Sequence, residues 1–84
     1  MCGFGRTGKL HAWQWEDCQP DVQILGKGVN GGYSPLSVVL MNEKVVDVFR
    51  KGSGAFMNGY TYQSSGVGCR AALECYKYIK KHNL

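Results

Sequence analysis

Glycine punctuation constrains this chain more than any other feature of its sequence. Twelve of its 84 residues are glycine, and they fall in four clusters, at 3–8, 26–32, 52–59 and 66–68. Glycine weakens the interior of a helix or strand, and it serves where the backbone must take a positive φ or approach another group closely. The clusters therefore predict short regular elements joined by tight, irregular turns.

Between the clusters the apolar pattern names the elements. Pro20-Asp21 opens a short apolar run, Val22 to Leu25, that reads as a buried strand. Gly26 to Pro35 must be loop. Leu36 to Met41, dense in valine and leucine, reads as a second strand buried on both faces. Asn42 is a good N-cap for a helix with Val45, Val46 and Phe49 on one side, ending near Gly52. After a loop over 52–66, Val67 to about Lys81 carries Val67, Ala71, Ala72, Cys75, Tyr78 and Ile79 on a helical stripe. Residues 1–12 lack periodicity and read as loop, and Trp13 and Trp15, alternating with Gln14 and Glu16, form either a short strand or an aromatic turn. The fold class is α/β, with short strands plus two helices. Two short strands do not make a stable sheet alone, so the elements read as part of something larger.

Composition narrows the chemistry. A chain of 84 residues is at most one small domain, and such a chain buries only about 60% of its unfolded surface. Disulfides, a metal or association usually make up the deficit. Cys2, Cys18, Cys69 and Cys75 include no CxxC pair and have no nearby histidine pair, so no metal site is expected. Cys69 and Cys75, six apart on one helix, cannot bridge without unwinding it, and free thiols in a reducing compartment are the simplest account. The net charge of +4 is mild, and its one cluster, Lys77, Lys80, Lys81 and His82, suits the end of a helix better than a nucleic-acid surface. With no apolar signal region and no membrane span, the chain is expected to be a soluble protein of the cytoplasm, with the mitochondrion left open.

Three glycine-rich readings compete for the chemistry. Gly3 to Lys9 fits the start of a phosphate-binding loop, but Leu10 stands where Ser or Thr should bind magnesium, and only two residues precede it. Gly26 to Gly31 fits G-x-G-x-x-G, with Asp47 about where a dinucleotide fold wants an acid. A helix would have to start there, and Gly32, Ser34 and Pro35 lead into a strand instead. The third reading centres on Lys27, held between two glycines after a buried strand. A lysine that forms a Schiff base needs a partly desolvated site so that its amine is neutral often enough to attack a carbonyl. On spacing alone, a merely solvated loop lysine outweighs that reading.

The order of motifs adds to it. Gly3-Phe4-Gly5-Arg6-Thr7-Gly8, Pro20-Asp21 before an apolar strand, Gly26-Lys27-Gly28, Gly31-Gly32-Tyr33-Ser34-Pro35 and Gly59-Tyr60-Thr61-Tyr62, leading to the alanine-bearing helix from Cys69 to Glu74, together cover nearly the whole chain. They resemble, in the same order, the class III pyridoxal-phosphate-dependent aminotransferases. The resemblance implies a fold type I enzyme, homodimeric when intact, that passes an amino group from an amine or amino acid to a 2-oxo acid. It implies Lys27 as the catalytic lysine that holds pyridoxal phosphate, and Thr61 as the threonine that holds the cofactor phosphate across the dimer interface. Trp13, Trp15, Tyr60 and Tyr62 read as packing residues, and Arg6 has no assigned role.

The same resemblance sets further expectations. Residues 1–84 would be part of the large, cofactor-binding domain, with the upstream half and the small C-terminal domain outside them. The family's Asp-Glu-Val-like segment, whose aspartate pairs with the pyridinium nitrogen, would lie just before Met1. The family has His or Asn and then Pro at the start of the last helix, where this chain has Ser65 and Gly66. Proline there presets φ, and glycine loosens it. The 84 residues alone are thus expected to have negligible transaminase activity, and the alternative is a catalytically inactive truncated fragment, at most an interaction segment.

Overall fold

The structure, a computed structural model, describes residues 2–84. Strand β1, Val22–Leu25, and strand β2, Val38–Met41, pair antiparallel, with Val22 opposite Met41 and Leu25 opposite Val38. Helix α1 is Glu43–Lys51 and helix α2 is Gly66–His82. Two 3₁₀ turns, Ala12–Trp15 and Lys27–Asn30, complete the regular structure. The first is the aromatic-turn alternative for Trp13 and Trp15. The second lies inside what the sequence marked only as loop.

The mixed α/β reading holds, and β1 has its expected bounds, whereas β2 starts at Val38 rather than Leu36. Burial differs more. Ile24 on β1 is 61% exposed and Val39 opposite it is 51% exposed, so β2 is not buried on both faces, and of β1 only Leu25 is buried. The physical reason is that a strand's burial comes from the layer packed on it, and these residues supply none on that face.

Local chemistry accounts for the junctions. The Asn42 side chain accepts a hydrogen bond from the Val45 N–H at 3.0 Å and donates to the Asp21 carboxylate at 2.6 Å. Its backbone N–H bonds the Asp21 carbonyl at 3.0 Å. The aspartate of the Pro-Asp pair thus ties the start of β1 to the start of α1. Lys44 adds an exposed ion pair to the same carboxylate. The N-terminal glycines make a hairpin-like turn, with Phe4 bridged to His11 and the Gly5 N–H bonded to the Leu10 carbonyl at 2.9 Å. Gly5 and Gly8 take φ of 78° and 87°, and a Cβ on Gly3 would lie 2.7 Å from the Ala12 Cβ. These glycines are explained by the turn itself, with no phosphate needed.

Helix α2 acts as a spine for the loops. Its Gly68 faces Ser34 and Leu36, its Cys75 faces Gly31, and its Ile79 faces Gly5. Of the expected stripe, Ala71, Ala72, Cys75 and Ile79 are half-buried, whereas Val67 and Tyr78 are exposed. All four cysteines are free thiols. No helix among the described residues is long and apolar enough to cross a membrane.

Candidate functional site

The best-buried part of the molecule surrounds Lys27. Leu25 is 5% exposed, Val29 4% and Asn30 0%. Gly26 is buried as well, and Lys27 and Gly28 alone stand out to solvent between these two pairs. Strand pairing holds Leu25, and the 3₁₀ turn then bends the chain, with the Val29 N–H on the Gly26 carbonyl at 3.1 Å and the Gly31 N–H on the Gly28 carbonyl at 3.0 Å. Lys27 takes φ 50°, a left-handed conformation at a residue with a side chain. Such a conformation costs about 1–2 kcal/mol for an L-residue. Gly31 and Gly32 follow at φ 68° and 80°.

Asn30 holds the second half of this loop, and sequence reasoning missed it. Its Oδ1 accepts from the Gly32 N–H at 3.2 Å, and its Nδ2 donates to the Ser34 carbonyl at 2.6 Å. The signal was present: an asparagine directly before a glycine pair is suited to bond its own backbone two residues on.

A groove of about 650 Å³ runs between this loop and α2, lined by Gly28, Gly31, Tyr33, Ala71, Cys75 and Tyr78 among others. Glu74 stands at its edge, where the hydrogen bond from Lys77 holds its carboxyl below the usual range. Lys27 lies beside the groove and does not line it. The expected desolvation of that lysine is therefore not supplied by these residues, because the Lys27 side chain stands in solvent.

Thr61 sits elsewhere, in a turn closed by the Gln63 N–H on the Tyr60 carbonyl at 3.0 Å. Tyr60 and Tyr62 flank it edge to face, 5.7 Å apart, and the whole segment 52–65 is exposed. Among the described residues no hydrogen bond joins Lys27 to Thr61.

A second cleft, of about 200 Å³, contains His11, Trp13, Asp21 and Gln23. Gln23 accepts from the Trp13 indole at 3.1 Å and meets His11 Nδ1 at 3.1 Å, and the imidazole stacks on Trp13. With Gln23 Nε2 as donor, Nδ1 is the acceptor and the ring proton sits on Nε2. Burial lowers the His11 pKa. This network knits the N-terminal turn to β1. The dinucleotide reading of Gly26–Gly31 fails here, because β2, not a helix, follows the glycines.

Known proteins bear on this arrangement. The family model for class-III aminotransferases matches residues 1–84. An aminotransferase from Gibberella zeae is 45% identical over 84 residues, which is all of this chain and 16% of its own length. Ornithine aminotransferase 2 from Staphylococcus aureus is 42% identical over 84 residues, again all of this chain and 20% of its own. The crystal structure of taurine:2-oxoglutarate aminotransferase from Bifidobacterium kashiwanohense, in complex with PLP and glutamate, superposes with a TM-score of 0.90 at 37% identity. That match covers 99% of this chain and 18% of the other. The chain thus spans between 16% and 20% of the length of these three relatives.

Proposed function

This chain belongs to the class III aminotransferases, and on that premise we propose that it forms the lysine-bearing part of the large domain of a pyridoxal-phosphate enzyme. The reaction would move an amino group from a primary amine or amino acid to a 2-oxo acid. Ornithine and taurine, named in two of the relatives, each carry an amine on an unbranched CH₂, which favours a terminal-amine donor.

One observation carries the assignment of Lys27. Its backbone is held in a left-handed conformation between two buried anchors while its side chain is free to reach outward. Asp17, Ser64 and Asn83 also take positive φ, but in exposed segments, whereas Lys27 does so between buried residues, and strain over-determined by its surroundings is a recurrent property of functional positions. The residues also fit a bulky group beside it, since a Cβ at Gly28 or Gly32 would meet nothing within 4 Å. When bound, the cofactor supplies an electron-withdrawing ring that accepts the electron pair left on the substrate carbon. Lys27 Nζ would hold the cofactor aldehyde, and as a free amine it would move the proton at the carbon bearing the amino group. The Thr61 hydroxyl would donate to the cofactor phosphate of a partner subunit. Its exposure on a turn flanked by two exposed tyrosines suits a segment that reaches a second chain.

A second reading, a non-catalytic segment that at most associates with an intact relative, is favoured by the solvent exposure of Lys27. One experiment separates them. An intact polypeptide that carries these residues is incubated with pyridoxal phosphate, reduced with borohydride and mapped by peptide mass spectrometry. We expect the pyridoxyl label to concentrate on Lys27 and to leave that peptide in Lys27→Ala. Label spread evenly over the seven lysines of residues 1–84 would refute the assignment.

A further inference from the structure

We propose that Asn30 is the positioning residue for Lys27, holding the lysine backbone in its left-handed conformation through the loop that follows. The inference rests on Lys27 being the cofactor lysine.

Asn30 is the one polar side chain among the described residues that is fully buried, and a buried amide is stable only when its hydrogen-bonding groups find partners. It finds them in the backbone of its own loop, accepting from Gly32 and donating to Ser34. The two bonds bracket a pair of left-handed glycines, Gly31 and Gly32, so the path of 30–34 is set from inside the molecule. The 3₁₀ turn links that path back to Lys27 through the Val29-to-Gly26 and Gly31-to-Gly28 bonds. On the other side, strand pairing and burial hold Leu25 and Gly26.

Lys27 therefore spans two fixed ends, and its φ is what closure requires rather than what an L-residue prefers. If the Asn30 end were loose, the lysine would relax to negative φ, and its Cα–Cβ bond would swing to a new direction. An amide also supplies a donor and an acceptor at once. Neither alanine nor aspartate does so at neutral pH, and aspartate would set a carboxylate against the Ser34 carbonyl.

The test compares the full protein with Asn30→Ala and Asn30→Asp, the second being close in volume to the native side chain. Backbone chemical shifts and the HN–Hα coupling of Lys27 report its φ, and borohydride-fixed pyridoxyl label reports its reactivity relative to the other lysines. We expect both variants to lose the positive-φ signature and to lower the Lys27 preference about tenfold. A lower melting temperature with φ and preference unchanged would reduce Asn30 to a packing residue and overturn the proposal. Loss of the fold in both variants would also overturn it, by making Asn30 a general core requirement. If only Asn30→Ala unfolds, Asn30→Asp decides. Wild-type protein without preferential Lys27 labelling would instead refute the cofactor assignment, while the φ measurement would still judge Asn30.

Discussion

At Lys27 the backbone and the side chain answer to different neighbours. The backbone obeys buried residues on either side, and the side chain meets solvent. His11 is a titratable ring held both by its near neighbour Trp13, on which it stacks, and by the distant Gln23. Asp21 shares its cleft, but that carboxylate is engaged by Asn42 and Lys44. Desolvation disfavours the imidazolium and lowers the folded-state pKa, so the unfolded chain binds the proton more readily. The stability this lends is present above the unfolded value of about 6.5 and is lost as pH falls from there through the lowered value. The urea midpoint should therefore fall between pH 7 and pH 5, and His11→Phe, which keeps a ring against Trp13, should flatten that fall. An equal decline in the variant would assign it to other groups. Lys27 and Thr61 were legible as candidates because their motifs are local in sequence. For Asn30 the turn was legible from the glycine pair after it, but its burial was not, because nothing adjacent announces that a polar side chain will be buried.

The two helices differ in how they begin. Asn42 caps α1, Glu43 sits in its first turn, and Arg50 near its end pairs with Glu43 at 2.8 Å and with Asp47 at 3.2 Å. Helix α2 begins at Ser65 without a side-chain cap, has no acid in its first turn, and places Gly66 first. The position expected to hold proline in the family is open, since a Cβ at Gly66 would meet nothing within 4 Å. Ser65 already has ψ 116°, the extended range that suits a residue before proline. Gly66→Pro should stabilise the chain by about 0.5–1 kcal/mol, mainly by restricting the unfolded state. Thermal unfolding of the two proteins checks this, and a lower midpoint in the variant would contradict it. Element positions were legible to within two residues, because capping residues, glycines and apolar periodicity act over a few bonds. The 3₁₀ turn at Lys27–Asn30 was not, because four residues are too few to show a period.

The molecule as a whole is open. Its radius of gyration is 14.3 Å, against about 12 Å expected for a compact chain of this length. Its accessible surface is 6719 Å², where a folded monomer of this size shows about 5,000 Å². Part of the excess is apolar, on Val22, Ile24 and Val39 of the sheet and on Met57, Tyr60 and Tyr62 of the 52–65 segment. The 84 residues expressed alone should accordingly bind a hydrophobic dye and associate as concentration rises. They should also show no measurable amino transfer with a panel of amines and 2-oxo acids, since nothing in them desolvates Lys27. Robust turnover that disappears in Lys27→Ala would show that expectation to be mistaken.

Determined by the sequence itself were the places where the chain turns and the two strands and two helices between those places. Each follows from forces acting within a few residues: steric limits on φ, capping, and the alternation of apolar side chains. Only the tertiary structure decided which of those surfaces are covered. It left Ile24 and Val39 exposed where the sequence implied burial, laid two loops along α2, and buried Asn30 behind Lys27. Burial depends on residues distant in the chain, and no local pattern records which of them will arrive.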